Sequence, residues 1–202
     1  DKVKSNALNF YQDFQKEMDE KGKKVSQLRI RIVAFRDYYY DREKAMMVTN
    51  FFNLPDQADE FERCIKSIVP AGGGDDPEDG LEALAYAMKS DWSNNAAKRR
   101  HVIVVWSDDG THALGFGKKV KNYPSGMPED FDRLTEWWGS KNAPGLMDEN
   151  AKRLLIFAPD KPGWSNIRDN WNNVIHAVTE DNDQGLSKIE YTEILDAICN
   201  SI

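Results

Sequence analysis

The sequence predicts an α/β fold, a doubly wound and mostly parallel sheet with helices on both faces. Apolar runs of strand length alternate along the chain with stretches whose apolar residues recur every three or four positions. One run, His101-Val102-Ile103-Val104-Val105-Trp106, is apolar almost throughout, as strands buried on both faces of a parallel sheet are. It empties into Ser107-Asp108-Asp109-Gly110-Thr111-His112, an oxygen-rich loop where such sheets place their functional groups, at a strand's carboxyl end.

Taken in order, Val3, Ala7, Phe10, Tyr11, Phe14 and Met18 mark an opening amphipathic helix that Gly22 stops. Residues 28–35 alternate apolar and basic before turning apolar, which predicts a strand entering a core, and 45–52 predicts a second. Residues 56–68 form a helix with Ala58, Phe61, Ile65 and Ile68 on its apolar face. After Gly72-Gly73-Gly74, Asp76 is placed to cap a helix over 77–90 with Pro77 at its first position. The strand at 101–106 is followed by a polar excursion over 110–128, rich in glycine and proline, and a short helix over 130–138. A buried strand at 152–158, a helix at 164–171, a strand at 174–179 and a closing helix at 187–202 complete the series, with Ser187 and Glu190 as a capping box. Folds of this class usually open on a central strand, whereas here a helix comes first. The expectation is that the native protein has a further strand upstream of Asp1.

At 202 residues the chain fits one domain with a sizeable core. A net charge of -7 argues against a surface built for nucleic acid or an acidic membrane, because phosphate binding needs clustered Lys and Arg. Lys98-Arg99-Arg100, the densest basic run, reads as a solvated lead into a buried strand. No apolar run approaches the ~18 residues a bilayer span requires, and no signal peptide opens the chain. Cytoplasm is the expected compartment, or the extracellular space if a leader has been trimmed. Cys64 and Cys199 lie far apart on predicted helices and read as reduced small hydrophobes, with a disulfide the alternative.

Two loops carry candidate chemistry. Asp75 and Asp76 after the glycines, and Asp108 and Asp109 after the 101–106 strand, offer carboxylates of the kind a hard divalent cation takes. Each has a plainer reading: Asp76 as helix cap, Asp75 and Asp109 as turn formers. His112 reads as ordering its own loop, since no His/Cys cluster has ligand spacing. Arg36 and Asp37 read as a surface ion pair. Trp137 and Trp138, being adjacent, cannot both face a core, so one is open to a partner, and Tyr38-Tyr39-Tyr40 is a comparable aromatic candidate. The acidic segment 180–185 fits neither register of a calcium-binding loop and reads as a polar turn.

The Gly72-Gly73-Gly74-Asp75-x-Pro77-Glu78 turn leading into Glu82-Ala83-Leu84, with the strand ending in Ser107-Asp108 and His112 four residues on, resembles the von Willebrand factor type A domains. The Val33-Ala34-Phe35-Arg36-Asp37-Tyr38 segment is similar to bacterial and kinase-associated members. The resemblance covers most of the chain. It implies a Mg²⁺ or Mn²⁺ ion held by three loops and completed by a carboxylate from a partner protein, with Asp75 or Asp76 and Asp108 or Asp109 as ligands. The family's first loop, Asp-x-Ser-x-Ser, occurs nowhere in this sequence. Many members use a threonine hydroxyl where this chain has Asp75 or Asp76. The added negative charge strengthens the hold on a cation but weakens its pull on an acidic partner. Without the upstream loop, residues 1–202 are expected to bind Mg²⁺ weakly or not at all.

The functional expectation is a non-catalytic protein-interaction module. The alternatives are a metal-dependent phosphohydrolase or phosphotransferase using Asp75 and Asp108, and a metal-free scaffold. The motifs of other enzymes are missing: there is no nucleophile elbow, no phosphate loop and no dinucleotide fingerprint, and a phospho-acceptor sheet wants a lysine at a strand's end, whereas Lys152 begins its strand.

Overall fold

The computed structural model describes residues 2–69, 77–180 and 191–202, and the side chains from residue 9 onward within them. The molecule is mixed α/β and divides into two compact units, one of 1–32, 48–71 and 187–202, the other of 33–47 and 72–186.

In the first unit, helix α1 (Lys2–Glu20) ends before Gly22, which adopts φ +66°. Strand β1 (Leu28–Ile30) pairs antiparallel with β4 (Phe52–Leu54), helix α2 (Ala58–Ser67) follows, and the last helix, here α6, spans Tyr191–Ser201. Leu54, Phe61 and Ile65 form a small core that Tyr11, Leu28, Ile30 and Phe52 close. The amphipathic face predicted for α2 is therefore the packed one. Lys21 pairs with Asp196 and the Lys23 ammonium donates to the Cys199 carbonyl at 3.1 Å, tying α1 to α6. Both cysteines are free thiols. The capping box at Ser187 and Glu190 lies outside the described residues.

The two strands predicted at 28–35 and 45–52 each break in two. Ile32 donates its N–H to the Thr49 hydroxyl and accepts from the Thr49 N–H, both at 3.0 Å, and the Arg31 side chain donates to the Thr49 carbonyl at 2.7 Å. A threonine side chain thus replaces a ladder bond, and hydrophobic periodicity carries no sign of that substitution.

The second unit holds β2 (Val33–Phe35), which pairs with β3 (Met46–Val48), and a parallel sheet of order β5-β6-β7. Strand β5 (His101–Trp106) pairs with β6 (Lys152–Pro159), and β6 with β7 (Val174–Thr179), in continuous parallel register. The central strand β6 is buried nearly throughout, while β5 alternates buried and half-buried positions. Helices α3 (Gly80–Met88), α4 (Phe131–Trp138) and α5 (Trp164–Asn170) complete the unit. Leu84, Leu134, Trp138, Leu154, Ile156, Trp164 and Ile167 anchor its core. Trp138 is fully buried and donates its indole N–H to the Asn172 carbonyl, whereas Trp137 is half-buried with the Lys89 ammonium over its ring.

Helix α4 is capped at both ends. The Asp130 carboxylate accepts from the Arg133 N–H at 2.8 Å, and Gly139 leaves the helix at φ +74°. The carbonyls of Trp138 and Gly139 then receive the buried Lys152 ammonium, both at 2.8 Å, with Glu149 2.7 Å away. The lysine that begins β6 is thus a cap for α4. Lys152→Met should cost about 2–3 kcal/mol in urea denaturation, since it leaves two buried carbonyls without their donor and Glu149 without its counter-charge; an unchanged midpoint would contradict that role.

One predicted boundary shifts with consequences for the site. Helix α3 starts at Gly80, with Asp79 in the capping position, so Pro77 is not its first residue. Glu78 instead forms a parallel bridge with Thr111, and the Asp79 N–H donates to the Arg36 carbonyl at 3.3 Å. Sheet-like pairing claims these residues before the helix can.

Candidate functional site

Three separate stretches of the second unit meet through those contacts: the residues after β2, the residues before α3 and the loop after β5. Thr111 is the pivot. Its hydroxyl donates to the Glu78 carbonyl at 3.1 Å and accepts the Leu81 N–H at 3.2 Å, while the His112 N–H reaches the same Glu78 carbonyl at 3.0 Å. Gly80 makes this approach possible, because a Cβ there would fall 2.6 Å from the buried Trp164 ring.

Inside the junction sit four side chains that a core would ordinarily exclude: Asp37, Asp79, Glu82 and His112, none more than 8% exposed. Asp37 turns inward; its carboxylate accepts the Tyr39 N–H and lies 3.1 Å from His112 Nε2. The surface pair expected between Arg36 and Asp37 does not form, and Arg36 pairs with Asp41 instead at 3.6 Å. Asp79 Oδ2 accepts the Tyr38 N–H at 2.7 Å, while its Oδ1 is buried with no hydrogen-bond partner among the described residues. Glu82 Oε1 accepts from the Gly115 N–H and the Tyr123 hydroxyl, both at 2.8 Å.

The electrostatics follow from crowding. Burial pushes the Asp79 carboxyl up to about 7; the Tyr38 N–H pulls it partly back, and the negative charges of Glu82, Asp37 and Glu78 push it further up. Burial also raises Glu82, against the opposing hydrogen bonds from Gly115 and Tyr123. The Tyr123 phenol is raised by burial and by the adjoining Glu82 carboxylate. One atom each from Asp37, Asp79 and His112 lies within 4.8 Å of the others, a spacing at which one cation can face all three.

Above this buried group the surface is aromatic. Phe116 stacks on the His112 ring at 3.9 Å between centroids, Tyr39 lies 6.3 Å from Phe116, and Tyr40 packs edge-on against Tyr39. Tyr39, Tyr40 and Phe116 are about half exposed, at 57%, 47% and 49%. Tyr38 faces the interior against Tyr123.

The four carboxylates singled out by sequence have separate fates. Asp75 and Asp76 lie outside the described residues. Asp108 is exposed just beyond β5, open to a ligand. Asp109 is engaged: its carboxylate holds the Lys161 ammonium and the Gly110 N–H, and its carbonyl accepts the Trp164 indole N–H at 2.9 Å. Burial would raise the Asp109 carboxyl, but Lys161 and the Gly110 N–H outweigh it and hold it low. Asp108 is thus exposed, whereas Asp109 is already paired with Lys161.

Sequence reasoning missed Asp37, Asp79 and Glu82 as a buried set. Arg36 beside Asp37 suggested a pair, and Glu78, Asp79 and Glu82 matched the acids common in a helix's first turn. The available signal was Asp79 and Glu82 three apart with Leu81 and Leu84, which places acids beside the apolar stripe.

Compared with protein-family models and with curated proteins, the chain gives no significant match. No helix among the described residues is long and apolar enough to cross a membrane.

Proposed function

We propose that the protein is a non-catalytic interaction module of the von Willebrand factor type A kind, with residues 1–202 belonging to one such domain, that presents a rim of loops to another protein. The observation that carries this reading is the parallel bridge between Glu78 and Thr111, which joins the end of the glycine-rich loop to the loop after β5. Those are the two loops on which the resemblance rests. The exposed aromatic group of Tyr39, Tyr40 and Phe116 at the same junction gives a partner an apolar anchor, the kind of side chain on which interfaces concentrate affinity.

In this reading a Mg²⁺ or Mn²⁺ ion binds at the rim with Asp75 and Asp108 among its ligands and makes partner binding cation-dependent. The buried carboxylates do not favour catalysis: Glu82 is committed to Tyr123 and Gly115, and Asp79 lies beneath the surface rather than in a cleft.

The test is capture of a binding protein by the immobilised chain in Mg²⁺ at tens of millimolar, enough to load a weak site, with its identity established by mass spectrometry. The reading predicts release by EDTA, at least tenfold weaker capture by Asp108→Asn, and no turnover of a phosphate-ester panel. Turnover abolished by Asp108→Asn would establish the phosphohydrolase instead. Capture indifferent to both EDTA and Asp108→Ala would leave a metal-free scaffold.

A further inference from the structure

The buried group beneath the rim has a chemistry of its own. Asp37, Asp79 and His112 come from three stretches of chain, and all three are enclosed at 1%, 0% and 8% exposure. Two enclosed carboxylates face one imidazole, and among the described residues no lysine or arginine pairs with Asp37 or Asp79, so ionising both would leave negative charge uncompensated. Burying such charge without a counter-ion is costly.

Two further observations point to what the group accepts. Asp79 Oδ1 is fully buried and lacks a hydrogen-bond partner among the described residues, although its sister oxygen is bonded to the Tyr38 N–H. His112 Nε2 and Asp37 Oδ2 face each other at 3.1 Å. Two ligand atoms each about 2.1 Å from one ion at the tetrahedral angle of Zn²⁺ stand about 3.4 Å apart. The hydrogen-bonded histidine and first aspartate are thus within a few tenths of an ångström of the separation of ligands in a shared shell. The third ligand atom, from Asp79, lies within 4.8 Å of both.

We propose that Asp37, Asp79 and His112 form a buried binding site for a borderline divalent transition ion of the Zn²⁺ class, separate from the rim carboxylate Asp108. The donor set decides the class. Mg²⁺ prefers oxygen and sheds its waters reluctantly, whereas an imidazole nitrogen with two carboxylates suits Zn²⁺ and Co²⁺. The ion balances the two aspartates and joins the end of β2, the start of α3 and the loop after β5 at one point. Phe116, stacked on the His112 ring, and the Tyr39 N–H on Asp37 connect that point to the exposed aromatic surface. This inference stands independently of the rim Mg²⁺ reading.

The test uses the protein stripped with EDTA and then titrated with Co²⁺ as a spectroscopic stand-in and with Zn²⁺. The expected result is one equivalent of Co²⁺ with visible d–d absorption, displaced by Zn²⁺ and unaffected by millimolar Mg²⁺. Zinc in large excess over its Kd should raise the Tm of the wild-type protein by about 5 °C or more. His112→Gln should lose the absorption and the Tm response, while Asp108→Asn should keep both. The wild-type titration needs no variant, so the test stands even if His112→Gln fails to fold; Asp37→Asn is then the second variant. Less than a tenth of an equivalent of metal with no Tm change overturns the site. So does binding that survives in both variants, which marks adventitious metal only. A Mg²⁺ response that persists without any Co²⁺ band would overturn this site and leave the rim reading in place.

Discussion

Replacing Asp79 by asparagine should abolish a steep pH dependence of stability in chelator-treated protein. The Asp79 carboxyl has an ordinary value of 3.8 and is pushed up to about 7 in the fold by burial and neighbouring carboxylates. Below pH 3.8 it is protonated in both folded and unfolded chains and contributes nothing. Between those values the folded chain keeps a proton that the unfolded chain has released, so stability falls as pH rises, by up to ~1.4 kcal/mol per pH unit. Above pH 7 both forms are ionised and the loss levels off, at about 4 kcal/mol in total. Asparagine keeps an oxygen for the Tyr38 N–H and carries no charge. In EDTA, the stability of Asp79→Asn relative to wild type should therefore grow by about 4 kcal/mol from pH 4 to pH 8. The check is urea denaturation at a series of pH values. A difference independent of pH would mean that Asp79 is solvated or paired, contrary to its burial.

The second large effect belongs to Trp164. This residue is fully buried at the start of α5, fills the space over Gly80, and donates its indole N–H to the Asp109 carbonyl. It therefore holds the loop after β5 against the start of α3, beside the Thr111 contacts that assemble the site. Trp164→Ala should cost about 3–5 kcal/mol through lost burial and the cavity left behind. For a chain of this size that lowers Tm by roughly 10 °C. Trp164→Phe should recover part of the loss but not the bond to Asp109. A cost below about 1 kcal/mol for the alanine variant would show that the loop is held by other means.

The parallel sheet was legible because burial leaves an unbroken apolar run at Leu154-Leu155-Ile156-Phe157 and at 101–106, and nothing local competes with it. Strands at 28–35 and 45–52 were legible too, but the breaks that divide them into β1 to β4 were not, because Thr49 intercepts the backbone bonds of Ile32 with a side chain, and side-chain substitution has no period. The site divides in the same way. Both loops that meet at Glu78 and Thr111 were visible as glycine and carboxylate punctuation around a strand. His112 was read as a residue that orders its own loop, and its partner was not legible. That partner is Asp37, 75 positions away, and only the fold decides whether an acid beside an arginine turns outward or in. Asp79 likewise reads as a helix-start acid until pairing with Arg36 and Thr111 delays the helix to Gly80.

The interaction reading stands or falls on where a partner lands. Exposed apolar side chains of the second unit lie at the aromatic group of Tyr39, Tyr40 and Phe116, on β7 at Ile175 and Val178, and at Leu146. Hydrogen-exchange mass spectrometry of the captured complex separates these surfaces. Slowed exchange confined to 37–41 and 107–117 is the predicted footprint; protection of 174–179, with the loop after β5 exchanging as in the unbound protein, would contradict the account.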